Sequence, residues 1–463
     1  MFVDRVSELQ LLEQRFTSGQ AELFVLYGRR RVGKTELLTR FCEGKRNAFF
    51  VADLGAEVSL RAGLSAAVNG VLFGPELAGA VYATWEDLLV ALARGAQAER
   101  LVVVLDEFPY LVTAHPPLAS VLQRVWDQAL RKSQIMLILC GSYIGMMEET
   151  VLGYQAPLYG RRTGQYLLEP LGYADARLFC QPYSLEDQVR AYAVYGGTPA
   201  YLQTLQATHS LADNIRDGIL ARGAFLYDEV RFVLQQELRE PRNYFATLQA
   251  IASGKTRLNE IKLATGLDGV SAYLETLQHL HLVERVVPVT ETQPHKSRRG
   301  LYRLKDHYLR FWFRYVHPNR SQLERGAGQA ILETLVLPQL DAYVGPAFEE
   351  ICRQYFWRAG LEGRLPFQPR QVGGWWNANA EVDLVVLGEA EAMLVECKWA
   401  SRPVGMDILQ DLEAKAQLVQ PELGGRRVSL ALCSRSGFTP QLEQAIRSRQ
   451  DVHLLDLQTL SQG

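Results

Sequence analysis

Between the apolar run Leu23-Phe24-Val25-Leu26-Tyr27 and the amphipathic stretch Glu36 to Phe41, the chain reads Gly28-Arg29-Arg30-Arg31-Val32-Gly33-Lys34-Thr35. Glycines at these two positions let the backbone turn tightly, so that its N–H groups converge where a following helix dipole already favours an anion. Such a segment needs a buried strand behind it and a helix in front. It therefore restricts the first part of the chain to a layered α/β arrangement.

The neighbouring sequence agrees. Short apolar runs (AELFVLYG, NAFFVADL, LVVVLDEF, IMLILCGS) alternate with helical stretches from Met1 to about Leu171. Runs apolar on both faces are what a parallel sheet covered on two sides requires. Gly28 to Thr35 fits G-x-x-x-x-G-K-[ST] at every fixed position, the P-loop pattern. Lys34 is placed to reach the β- and γ-phosphate oxygens of ATP, and the Thr35 hydroxyl to ligate Mg²⁺. Asp106 ends an apolar strand and would hold the metal shell, and Glu107 beside it is placed to polarise an attacking water. Ser142, at the end of IMLILC, is either a γ-phosphate sensor or a strand-end cap. Arg161 and Arg162 are candidates for a positive charge at the transition state, in cis or from another subunit, and a surface salt bridge accounts for them as readily. Arg29, Arg30 and Arg31, inside the loop, are expected to be solvated, with contact to phosphate or an acidic partner as the alternative.

Residues 172–239 read as a helical lid interrupted by Gly196-Gly197-Thr198-Pro199. Residues 240–310 order three helices before two strands around a polar hairpin, the pattern of a winged helix-turn-helix. The helix DGVSAYLETLQHLH carries no Lys or Arg, which speaks against reading base edges. By contrast, Arg285 to Arg320 holds nine basic residues against two acidic ones, so phosphate contact by the wing is plausible beside a domain-packing role. A connecting segment, 311–340, leads to a smaller α/β unit, 341–463.

In that last unit Asp383 opens one strand, and Glu396-Cys397-Lys398 lies in the next. Alternation puts Glu396 and Lys398 on one face and turns Cys397 into the core, and a hairpin brings Asp383 beside Glu396. Two acids that hold Mg²⁺ or Mn²⁺, with a lysine that orients water or stabilises phosphate charge, form a coherent set. Glu349, on an expected helix, is placed to add a third carboxylate. Trp375, Trp376 and Trp399 stand nearby, for base stacking or for core packing.

Composition closes off other classes. With 49 Lys plus Arg against 51 Asp plus Glu, the net charge of -2 excludes a chain that holds nucleic acid by bulk positive charge. The six cysteines are scattered without C-x-x-C spacing, which argues against a disulfide framework or a zinc site. The apolar runs are far below the ~18 residues of a membrane helix. A soluble cytoplasmic protein without membrane contact is the expectation.

The motifs of the first half resemble the archaeal-type P-loop ATPases of the STAND/AAA-related group. The likeness rests on Phe2, Arg5, Glu8 and Leu9 at the start, the GRRRVGKT loop, the DEF strand end, CGS, YGR and GGTP. It implies that Phe2 to Glu8 border the nucleotide base and that Gly196, Gly197 and Pro199 shape a lid near it. The order helix Glu349, then Asp383-x₁₂-Glu396-x-Lys398, resembles the PD-(D/E)XK nuclease superfamily, with Val382 where the literal motif has proline. Together they look like an archaeal ATPase fused to a nuclease-like domain of uncharacterised function, in which Glu349, Asp383, Glu396 and Lys398 are the catalytic set. The expected function is ATP hydrolysis coupled to metal-dependent DNA cleavage, with DNA met by the wing and the nuclease-like domain. The alternative is an ATPase switch in signalling, regulation or defence whose last domain only binds nucleic acid or a protein. Whether copies assemble depends on whether Arg161 or Arg162 acts in trans, which the sequence leaves open.

Overall fold

The computed structural model describes Val3, residues 5–238 and residues 240–461. Phe2 of the amino-terminal motif and Arg239 at the lid boundary lie outside the described residues. The chain forms two compact units, Met1–Pro170 and Leu171–Gly463.

In the first unit, strands β1 (Glu22–Tyr27), β2 (Asn47–Val51), β3 (Leu101–Asp106), β4 (Ile135–Gly141) and β5 (Gly164–Leu167) form one sheet in the order β2-β3-β4-β1-β5. All neighbouring pairs are parallel. Successive side chains go to opposite faces of a strand. Thus Val103, Leu105, Leu137 and Leu139 join one core with the helices Glu57–Phe73, Trp85–Gly95 and Leu118–Gln128. Val102, Val104, Ile138 and Cys140 join the other, with Leu37, Leu38 and Phe41 of the helix Lys34–Cys42. Both layers are thereby dry, which is why these strands are apolar throughout. Strand β5, short and half-buried, has no counterpart in the sequence reading.

The second unit begins with helices, including Leu185–Tyr195 and Phe225–Glu237. Here Gly197 carries its own constraint: a Cβ would sit 1.8 Å from the Leu171 carbonyl oxygen. Helices Pro241–Ala252, Leu258–Thr265 and Val270–His279 then precede an antiparallel hairpin, β6 (Val283–Val286) with β7 (Leu301–Leu304). The aromatic stretch that follows is buried, with Trp312 Nε1 donating to the Tyr227 carbonyl at 2.7 Å.

A long helix, Leu337–Leu361, leads to a mixed sheet of β8 (Gln371–Trp376), β9 (Glu381–Leu387), β10 (Glu391–Lys398), β11 (Arg427–Ser434) and β12 (Val452–Asp456). Its order is β12-β11-β10-β9-β8, antiparallel from β8 to β10 and parallel from β10 to β12. The helix Met406–Val419 makes the crossover between β10 and β11 and packs Leu409, Leu412, Ala416 and Val419 into the core of this sheet. Among the described residues no helix is long and apolar enough to cross a membrane.

Candidate functional site

The loop after β1 is shaped by backbone demands. Gly28 has φ +149, and a Cβ there would meet the Leu168 carbonyl oxygen at 2.3 Å, so only glycine lets the loop pass the end of β5. Gly33, at φ +95, turns the chain into the helix Lys34–Cys42. Arg5, itself buried, donates to Glu8 (2.9 Å), to the Val32 carbonyl (3.0 Å) and to the Glu169 carbonyl (2.8 Å), which fastens the amino-terminal motif to the loop. Lys34 is buried and its ammonium donates to the Gly28 and Arg29 carbonyls at 2.8 and 2.9 Å. Burial pulls its pKa below the ordinary lysine value.

The carboxylates of β3 meet this loop from the side. Thr35 Oγ1 donates to Asp106 Oδ2 at 2.5 Å. Glu107 adopts φ +52, a left-handed conformation that non-glycine residues rarely hold, as the helix Phe108–Ala114 starts directly after the strand. The buried Phe108 and the proline at position 109 fix that start. The Glu107 carboxylate thereby reaches the end of β4, where it accepts from Ser142 Oγ at 2.6 Å and from the Ser142 N–H at 3.2 Å.

The arginines are engaged. Arg30, expected to be solvated, donates to Tyr110 Oη at 2.6 Å and lies 5.1 Å from the Tyr143 ring centroid. The Tyr110 hydroxyl, on the helix Phe108–Ala114, and the Tyr143 ring, just past β4, capture the guanidinium between them, a contact that residue type alone does not disclose. Arg31 is exposed and at φ +68. Arg161 is held by Asp127 at 2.8 and 3.0 Å, as the salt-bridge reading has it. Arg162 donates to the carbonyls of Leu152 (2.9 Å) and Val151 (3.4 Å).

A second constellation lies on β9 and β10. Their register ends with Val395 opposite Leu384, so Asp383 and Glu396 are the next pair beyond it. Asp383 Oδ2 accepts the Cys397 N–H at 2.7 Å. Lys398 Nζ donates to Glu396 Oε1 at 2.6 Å, on the shared face that strand alternation requires. Burial, and then the negative charge of Glu396, raise the Asp383 pKa to about 6. Burial, and then Asp383, raise that of Glu349 on the long helix to about 7. The Lys398 pKa is also raised: burial opposes this, but the Glu396 carboxylate outweighs it. Carboxyl groups whose ionisation is disfavoured by burial and by a neighbouring carboxylate form a site where a cation would relieve the repulsion.

Residues 2–205 match the family described as an ATPase domain predominantly from Archaea. Residues 312–415 match one described as archaeal and bacterial proteins of unknown function. An uncharacterised protein of Methanocaldococcus jannaschii is 33% identical over 427 residues, which cover 90% of this chain and 92% of that one. The chain belongs to the same family as that protein, with an archaeal-type ATPase domain over residues 2–205. An uncharacterised ATP-binding protein of the same organism is 52% identical over 46 residues, 10% of this ATPase-family chain and 78% of that protein. The Walker-type ATPase of Pyrococcus abyssi aligns at TM-score 0.48 and 19% identity, over 67% of this chain and 96% of that one.

Sequence reasoning missed Lys415 of this ATPase-family chain. Its ammonium lies 3.1 Å from both oxygens of Glu396, and it also pairs with Asp411 at 2.9 Å, one helical turn before it. The signal available was a lysine on the helix that crosses back over β10.

Packing adds to two of the sequence readings. The cysteines are scattered in sequence but not in space, since Cys352, Cys397 and Cys433 meet in the core. Four arginines of the basic stretch 285–320 are held by neighbouring groups. Arg285 caps the Pro294 carbonyl at 2.9 Å, Arg299 pairs with Glu291 and Glu422, Arg310 donates to the Tyr343 carbonyl and Arg320 pairs with Asp228. The hairpin loop docks on β8, with the Val289 N–H donating to the Gly374 carbonyl at 2.9 Å and Trp376 Nε1 to that of Arg299 at 3.0 Å. Lys296 and Arg298 at its tip stay exposed. Trp375 and Trp376 are buried, which selects core packing for both, and Trp399 Nε1 donates to Asp341 at 3.2 Å.

Proposed function

We propose that the protein binds and hydrolyses MgATP at the loop after β1 and that this turnover controls a metal-dependent DNA endonuclease centred on Asp383, Glu396 and Lys398. The observation that carries the reading is the coexistence of two built acid sites in one chain. One is Thr35-Asp106-Glu107-Ser142 around an anion-binding loop. The other is Asp383-Glu396-Lys398 with Glu349 beside it.

At the first site the donor set fits a metal nucleotide. Thr35 and Asp106, already in contact, would hold Mg²⁺; Lys34 and the loop amides would hold the phosphates. The bound metal would neutralise charge building on the γ-phosphoryl group. Glu107, oriented by Ser142, takes the proton of the attacking water. At the second site Asp383 and Glu396 would hold Mg²⁺ or Mn²⁺, a cation that would polarise the phosphodiester. Glu349 would lend a further carboxylate, and Lys398 places positive charge where the attacked phosphate becomes more negative.

A second reading has its own support. Glu396 is ion-paired by two lysines, Lys398 and Lys415, as it would be in a nuclease-derived domain that only binds DNA or a protein partner. Incubating the purified chain with supercoiled, linear and branched DNA in Mg²⁺ or Mn²⁺ beside Asp383→Ala separates the two. Cutting that the substitution abolishes supports the endonuclease. DNA retention without cutting supports the binding domain.

A further inference from the structure

Cys352, Cys397 and Cys433 come from the long helix, β10 and β11. Their Sγ atoms all lie within 4.8 Å of one another. The three residues are 0%, 8% and 0% exposed. Cys397 and Cys433 are register partners on parallel strands, so their side chains leave the sheet side by side, and Cys352 meets them from the helix. Three sulfurs around one metal at ~2.3 Å lie ~4 Å apart, so less than about 1 Å of closure separates this cluster from a coordination shell.

The missing fourth donor narrows the ligand. No His, Asp or Glu joins the three within that radius among the described residues, and burial keeps water from completing the set. Structural Zn²⁺ takes four ligands, whereas Cu(I) is soft, favours thiolates and accepts three. Three thiols kept only as small apolar fillers would bind neither ion.

We propose that Cys352, Cys397 and Cys433 form a binding site for one soft, thiophilic cation, Cu(I). Each thiolate that forms releases its proton as the metal enters, so affinity rises with pH. The site adjoins the acid cluster, since Cys397 lies between Glu396 and Lys398 and its N–H donates to Asp383, but the proposal needs neither the ATPase nor the nuclease reading.

The test uses the full chain, reduced and anaerobic, given Cu(I) with a competing chelator both after folding and during refolding. Sulfur-to-copper charge-transfer absorption and retained copper are read after desalting. The expected result is one copper per chain in the wild type and in Cys180→Ala, with at least tenfold weaker retention in Cys433→Ala, and no displacement by excess Zn²⁺. Failure of the wild type to retain copper by either route overturns the proposal without recourse to any variant. So does equal retention by Cys433→Ala, or displacement of copper by Zn²⁺.

Discussion

Ser142 holds Glu107 from two directions, its hydroxyl on one carboxylate oxygen at 2.6 Å and its backbone N–H toward the other at 3.2 Å. Together with the left-handed backbone of Glu107, this aims the carboxylate and limits its rotamers. Replacing Ser142 with alanine removes the shorter bond and keeps the backbone one. ATP turnover should then fall by roughly tenfold at an unchanged KM, as expected for loss of one orienting hydrogen bond. Glu107→Gln should lower kcat by about 10²–10⁴ and leave nucleotide binding intact. Steady-state ATPase kinetics with a nucleotide-binding titration check both. A raised KM at constant kcat in Ser142→Ala would assign the serine to nucleotide binding instead.

Gly28→Ala should destabilise the first unit by about 2–4 kcal/mol, because the added methyl meets the Leu168 carbonyl oxygen and the positive φ is costly for an L residue. Urea unfolding followed by circular dichroism measures this. A change below about 0.5 kcal/mol would mean that the loop moves freely away from β5.

The two lysines on Glu396 should differ. Lys415 competes with a cation for the carboxylate, so Lys415→Met should tighten Mg²⁺ or Mn²⁺ binding about 2–5-fold, the range for a pair of ~0.5–1 kcal/mol. Lys398→Met should reduce DNA cleavage far more than it changes metal affinity. Calorimetric metal titration beside a cleavage time course reads both. Equal effects of the two substitutions would make the lysines a single structural ion-pair patch.

His307 supplies a pH dependence outside either site. Burial, and then the neighbouring Arg310 charge, push its pKa down to about 3, with its ring edge-on to Tyr192 at 5.0 Å. The unfolded chain takes a proton near pH ~6.5 that the folded chain refuses. Stability is therefore unaffected by this group above that pH and falls as the pH drops toward 3, by up to ~1.4 kcal/mol per pH unit. Urea midpoints of wild type and His307→Gln near pH 7 and about pH 5 should converge at the lower pH. Parallel midpoints would show that the imidazole titrates normally.

Much of this arrangement was legible because it follows from local rules. An anion loop must stand between a buried strand and a helix, which located Gly28 to Thr35, and strand alternation placed Glu396 and Lys398 together. What the sequence hid depends on distant packing. Arg30 looks like any surface arginine until Tyr110 and Tyr143 meet around it. The three cysteines are joined only by the β10–β11 register and the helix above them. Strand β8, with two glycines, and the short β12 lack the long apolar pattern of central strands because they lie at the sheet edges. For the arginines of 285–320, phosphate contact and packing stay open because sequence does not show that Arg285, Arg310 and Arg320 meet carbonyls and acids of neighbouring elements.

Coupling between the two acid sites is tested most directly by cleavage of supercoiled DNA in Mg²⁺ by the wild type with and without ATP, and by Glu107→Gln with ATP. The expected result is cutting that requires ATP in the wild type and is altered when Glu107→Gln binds ATP without turning it over. Cleavage at the same rate with and without ATP, or none in any lane, would contradict an ATP-controlled nuclease.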